Sequence, residues 1–243
     1  QVALTRFEQQ HGNIDEFVRT SLGYSSMGEF HQRLYAEQID TIGLAISNLN
    51  RGNGFVIGDQ TGIGKGCQCA ALMAYSTRQG KPVVFFTQKN ALYKDILRDL
   101  ETIGVRDFAP FVTDSNAKID LGKGAMLRTG SHNQQEQEMN RLMGLGNLGS
   151  YDAVFTTYSQ IQPVAQKEPL RRHFLRSLAE RGAIFICDES HEAGGSPQTG
   201  WQINGAPPNR AEFMRELIDT TLTSEGGVVY SSATYSKRPD VMD

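Results

Sequence analysis

The sequence predicts an α/β protein of three layers, a mostly parallel central sheet flanked by helices. Three observations carry that expectation. Short apolar runs alternate with amphipathic stretches, as in "PVVFFTQ" followed by "NALYKDILRDLETIG". The apolar runs are the length of strands and are bounded by glycine or proline, which marks them as buried strands. The alternation of strand and helix implies parallel pairing through crossover helices on both faces.

In chain order, "RFEQQ" and "IDEFVRTSLGY" read as a short helix and loops, an extension over residues 1–30. Residues 29–49 carry Leu34, Ile39, Ile42, Ala45, Ile46 and Leu49 at helical spacing, and Asn50, Gly52 and Gly54 stop that helix. "GFVIGD" is a strand, "KGCQCAALMAYSTRQGKP" a helix closed by Gly80 and Pro82, and "PVVFFTQ" a second strand. The amphipathic helix that follows has Asn90 as a candidate cap. "FAPFVT" is a third strand. Residues 114–150 are polar and glycine-rich and interrupt the alternation, with one helix expected near 134–143. The pattern then resumes: strand "DAVFTTY", helix "PLRRHFLRSLAERG", strand "AIFICDES", a long loop, helix "AEFMRELIDTTL" and strand "GGVVYSSAT".

A chain of 243 residues can bury one substantial core or two small ones. Hydrophobic residues at 39% and charged residues at 21% fit a globular protein, and no apolar run approaches the roughly 20 residues of a membrane span, so no membrane partner is expected. A net charge of −3 argues against wrapping nucleic acid over most of the surface; any such contact must be local. Cys67, Cys69 and Cys187 are too few and too odd in number for a disulfide scaffold, which points to a reducing compartment: cytoplasmic for a bacterial or phage protein, nuclear for a eukaryotic one. Their spacing with His191 lacks the paired pattern of zinc sites, and the thiols read as small buried residues. The first residue is Gln1, as expected of a piece cut or processed from something longer.

Three stretches carry chemistry. "GDQTGIGKG", residues 58–66, lies between an expected strand and an expected helix. There, backbone N–H groups at the helix start, aided by its dipole, can hold phosphate oxygens. Gly62 and Gly64 permit close approach, and Lys65 would bring a positive charge to the β- and γ-phosphates. Gly66 stands where such loops usually carry Ser or Thr to hold magnesium, and Thr61 is a nearby hydroxyl that could substitute. In "AIFICDESH", Asp188 and Glu189 end a strand, where ligands bind in parallel sheets. Asp188 suits a magnesium shell, and Glu189 could orient an attacking water; the plainer alternative is a solvated loop start. In "VVYSSATY", Ser231, Ser232 and Thr234 place hydroxyls at a third strand end.

This ordered set resembles the N-terminal RecA-like lobe of superfamily-two helicases and translocases, a P-loop NTPase fold. "GIGK" resembles Walker A, "DESH" the DExH form of Walker B, and "SAT" the third helicase motif. "GDQTGIGKG", "LRDL", "TTYSQI" and "SSATYSKRPDVM" together look most like the Strawberry notch family, in which GKG replaces GKT. The resemblance runs from about Leu34 to the chain end, broken by the 114–150 insert.

The resemblance implies an ATPase lobe over residues 31–243 that uses ATP and Mg2+. Gln38 would read adenine. Asp59, Thr61, Gly62, Ile63, Gly64, Lys65, Gly66 and Cys67 would form the loop around the phosphates. Lys65, Asp188, Glu189 and His191 would serve hydrolysis, with Asp188 on the metal. Ser232 and Thr234 would couple the nucleotide state to the grip on nucleic acid, DNA in preference to RNA, through Lys89, Asn90, Thr157 and Tyr158. For Asn90 and Lys89 a cap and a solvated charge are the plain alternatives, and His191 could be a loop cap. Trp201 could stack on a base or plug the core edge, and Arg238 reads as a domain-end residue. A second RecA-like lobe supplying an arginine is expected beyond residue 243, so this lobe alone should hydrolyse weakly. An ATP-driven switch within an assembly is the alternative function. A P-loop kinase fits less well, because it needs no "SAT" strand.

Overall fold

The computed structural model describes residues 2–58, 64–122, 124–163, 167–190 and 209–232. Six strands form one sheet in the order β1 (Phe55–Ile57), β8 (Gly227–Ser231), β7 (Ile184–Asp188), β2 (Val83–Thr87), β6 (Ala153–Thr157) and β3 (Pro110–Val112). Every neighbouring pair among them is parallel. The three-layer α/β expectation therefore holds.

The reason lies in the strand sequences. β2 is buried at all five positions, and its side chains alternate between two cores. Val83 and Phe85 face one apolar cluster, and Val84 and Phe86 face the other. β7 does the same with Ile184 and Ile186 against Phe185 and Cys187. A strand apolar on both faces must be covered on both, and each fully buried side chain of this size contributes about 1.5–3 kcal/mol.

Helices α4 (Ala36–Leu49), α5 (Lys65–Arg78) and α6 (Tyr93–Thr102) build the first cluster. Helices α7 (His132–Leu145), α8 (Leu170–Ala179) and α9 (Arg210–Thr223) build the second.

The N-terminal segment holds more helix than the sequence suggests. Instead of one short helix there are α1 (Val2–His11), α2 (Ile14–Leu22) and α3 (Met27–Arg33). Asn13 and Ser26 cap α2 and α3 through their side chains, and Gly23 ends α2 in the left-handed region. Phe7, Ile14, Val18 and Phe30 join the first core cluster.

The helix expected over 29–49 is broken at Leu34 and Tyr35, both extended. The apolar spacing runs through the break, but the Gln38 side chain accepts a hydrogen bond from the Tyr35 N–H at 3.0 Å and starts a new helix there.

Residues 114–150 hold the expected helix, as α7, and an unexpected antiparallel hairpin, β4 (Lys118–Gly122) with β5 (Ala125–Arg128). α7 is also the crossover between the neighbouring strands β3 and β6, so only the hairpin is additional to the alternating pattern. Asn90 does not cap α6. It opens a short 3-10 turn over residues 90–92 ahead of that helix, and its amide donates to Asp114 Oδ1 at 3.3 Å.

Candidate functional site

The parallel sheet brings the C-terminal ends of its strands into one row. Ile57 pairs in register with Ser231, and Ser231 with Asp188. Phe86 pairs with Cys187, and Thr87 with Thr157. The row therefore runs from Ile57 through Ser231, Asp188 and Thr87 to Thr157. Ligands bind at this edge of open parallel sheets, where helix starts also point.

Helix α5 begins at Lys65, just beyond β1. Gly64 precedes it at φ 76, a left-handed conformation that disfavours any residue with a side chain. A Cβ there would also collide with the Gln38 amide nitrogen. Gln38 is 3% exposed and reaches two places at once. Its oxygen holds the start of α4, and its Nε2 donates to the Gly64 carbonyl at 3.4 Å. The predicted adenine-reading glutamine is thus tied mechanically to the end of the glycine loop.

Asp188 is the last residue of β7. Its side chain lies 3.5 Å from the Thr87 hydroxyl, which donates to Oδ2. Burial pushes its carboxyl up to about 6, and the neighbouring Glu189 carboxylate adds to that. The Glu189 backbone N–H, the Ser231 hydroxyl and the Lys65 charge pull the other way. The Lys65 charge thus acts on the Asp188 carboxyl. Burial likewise raises the Cys69 thiol, in the first turns of α5. The charges of Asp188, Asp99 and Lys65 all act on that thiol, and the Ser231 hydroxyl lies against it.

Glu189 has φ 50, rare for a residue with a side chain. Strained backbone of this type clusters at functional sites. Ser231 is 1% exposed, and its Oγ, beside Asp188 and Cys69, makes no well-formed hydrogen bond. It is Ser231 that sits in register with Asp188; Ser232 approaches β1 instead, its backbone N–H 3.4 Å from the Ile57 carbonyl.

The residues expected to grip nucleic acid are divided. Lys89 is exposed and Asn90 partly exposed. Thr157 and Tyr158 are each 2% exposed. The Tyr158 ring stacks on Phe86 with centroids 5.5 Å apart, and its hydroxyl donates to the Asp188 carbonyl at 2.9 Å. Both side chains serve the strand ends from within the core and offer no open face.

Asp59, Thr61, Gly62, Ile63, His191, Trp201, Thr234 and Arg238 lie outside the described residues. Gly66 and Cys67 open the first turn of α5, both partly buried. Asp99 and Thr87 were not singled out in the sequence. Asp99 had a signal: it follows Ile96 by three positions on the buried stripe of α6, where an acid is out of place.

A protein-family model described as P-loop containing NTP hydrolase pore-1 matches residues 26–243. Among solved structures, the Sulfolobus solfataricus SWI2/SNF2 ATPase core in complex with dsDNA is similar at 14% identity and a TM-score of 0.47, over 88% of this chain and 35% of that one. A hypothetical ATP-dependent RNA helicase from Sulfolobus tokodaii is similar at 16% identity and a TM-score of 0.45, over 92% of this chain and 51% of that one. The chain thus spans no more than about half the length of either. No curated protein matches it.

Proposed function

This chain belongs to the P-loop containing NTP hydrolase pore-1 family, and on that premise we propose that it is the ATP-binding and ATP-hydrolysing lobe of a nucleic-acid-dependent helicase or translocase of Strawberry notch type. What supports the reading most is placement: Lys65 opens α5 behind the left-handed Gly64, Asp188 ends β7 in the same row of strand ends as Ile57 and Ser231, and the Lys65 charge acts on the Asp188 carboxyl. The narrower likeness rests on the sequence stretches "GDQTGIGKG", "TTYSQI" and "SSATYSKRPDVM".

The donor set suits magnesium. Asp188 offers a hard oxygen, and the buried Ser231 hydroxyl beside it makes no well-formed hydrogen bond. Magnesium, when bound, would neutralise charge on the β- and γ-phosphate oxygens as the bond between them breaks.

The chain's own residues would do the rest. Asp188 would hold the metal directly or through its water shell. The backbone N–H groups at the start of α5 would bind phosphate oxygens, and the Lys65 ammonium would reach the terminal phosphates. Glu189, aimed by its left-handed backbone, would orient water in line with the departing diphosphate. Gln38 would meet adenine while bracing Gly64. The sequence offers Asp59, Thr61, Gly62 and Ile63 for the loop, His191 for hydrolysis and Thr234 for coupling.

The exposed Lys89 supports a phosphate contact on nucleic acid, and the preference for DNA over RNA is part of the proposal that rests on the sequence resemblance alone. An arginine from a second RecA-like lobe would raise the rate, an effect worth about 10³–10⁵ in related enzymes.

One observation favours a second reading, an ATP-driven switch within an assembly. Thr157 and Tyr158 are buried, which suits transmission between strand ends better than a grip on a polymer. ATP hydrolysis measured with and without DNA or RNA separates the two. Stimulation by nucleic acid that disappears in Glu189→Gln supports the motor. ATP binding indifferent to both polymers supports the switch. Absence of ATP binding overturns both.

A further inference from the structure

The residue after Lys65 is Gly66, which has no hydroxyl to offer a metal. A Cβ built on Gly66 would overlap the Asp99 carboxylate, with Oδ2 nearest. Asp99 comes from α6, which packs along α5. Its two oxygens are used differently. Oδ1 accepts from Arg98 Nε at 3.3 Å and from Arg98 Nη2 at 3.1 Å. Oδ2 is the oxygen turned toward Gly66. An acid from another helix thus occupies the space that a serine or threonine side chain would fill in the usual loop.

We propose that Asp99 takes over the office of the missing hydroxyl, supplying an oxygen from α6 to the magnesium shell of the bound nucleotide. The inference rests on the nucleotide-site reading above and adds a residue to it. Three observations support it. Gly66 and Asp99 form a complementary pair in space: the first has lost a side chain where the second delivers an oxygen. The charges of Asp188, Asp99 and Lys65 each act on the buried Cys69 thiol, three residues after Gly66 in α5. Ser231 completes that neighbourhood with a buried hydroxyl lacking a well-formed hydrogen bond. Arg98, on Oδ1, would leave Oδ2 as the donor and fix its direction, as outer partners of metal ligands do.

The test is the affinity of this 243-residue chain for a non-hydrolysable ATP analogue, measured by calorimetry with magnesium and with excess chelator. In wild type, magnesium should tighten binding. Asp99→Asn and Asp99→Ala should each lose about 10- to 100-fold of that tightening, while binding under chelator stays the same. Gly66→Thr alone should also weaken it, by displacing the carboxylate. The double variant Gly66→Thr with Asp99→Ala should restore it, by returning the oxygen to the loop.

Asp99 variants that keep the full magnesium effect overturn the inference and leave the nucleotide site standing. A wild-type chain that binds no nucleotide overturns both. Should Asp99→Ala unfold, Asp99→Asn and the double variant still decide the matter. A packing role alone would lower thermal stability without changing the ratio of the two affinities.

Discussion

The Tyr158 hydroxyl donates a hydrogen bond to the Asp188 carbonyl at 2.9 Å, joining the end of β6 to the end of β7 across the intervening β2. Tyr158→Phe keeps the ring stacked on Phe86 and removes this bond together with the hydroxyl's contact to the Cys187 thiol. The expected loss is about 1 kcal/mol of stability, read as a lower midpoint in urea unfolding. An unchanged midpoint would mean that the bond contributes nothing to holding the strand ends together.

Glu189 sets function against stability. A left-handed backbone costs a residue with a side chain about 1–2 kcal/mol. Glycine avoids that cost but gives back about 0.5–1 kcal/mol in backbone entropy. Glu189→Gly should therefore be about 0.5–1 kcal/mol more stable than wild type while losing ATP hydrolysis. Thermal unfolding and phosphate release, run on the same sample, check both halves.

Gly64 is constrained by its own backbone and by Gln38. Gly64→Ala adds strain of about 1–2 kcal/mol and pushes the Gln38 amide from the loop. Its expected signature is a lower melting temperature together with weaker ATP binding. Full ATP affinity in a folded Gly64→Ala chain would separate Gln38 from the nucleotide.

Asp114 predicts a pH effect away from the residues proposed to hold magnesium. It is 6% exposed and accepts from Tyr93 at 3.0 Å and from Asn90 at 3.3 Å, and Arg171 lies within electrostatic reach. Burial outweighs these partners and raises its carboxyl above the usual aspartate value. A raised folded-state value means stability present at low pH and lost as pH rises through that value. Asp114→Asn removes the titration, and its amide can still pair with Tyr93 and Asn90 if it is oriented to suit both. The melting temperature of wild type minus that of the variant should thus grow as pH falls from neutral toward about 4. A difference that stays flat would remove the titration from the account.

The sheet was legible because its strands are apolar on both faces and bounded by glycine or proline, as β2 and β7 show. The break at Tyr35 was not legible, because the apolar spacing continues from Leu34 to Ile39 and a side-chain bond from Gln38 makes the cut. The β4–β5 hairpin left little pattern, since Ile119 is its only described residue buried in the core. Lys65 and Asp188 could be found from short motifs, because phosphate chemistry demands those residue types at a helix start and a strand end. Tyr158 read as an outward residue beside two threonines; only its position over Phe86 turns it inward. Asp99 lies within the quoted "LRDL" stretch, but nothing in that stretch says that the carboxylate faces Gly66; that depends on how α6 packs against α5.

In the sheet, β1 pairs with β8 and is not paired with β7. The strand that leads into the glycine loop therefore waits for the last described strand before it can stand beside the one that bears Asp188. During synthesis, with earlier parts leaving the ribosome first, the lysine and the acid emerge as strangers and are introduced only when residues 227–231 slide between them. A nascent chain halted before that point can have nearly every helix in place and still have no pocket for a triphosphate.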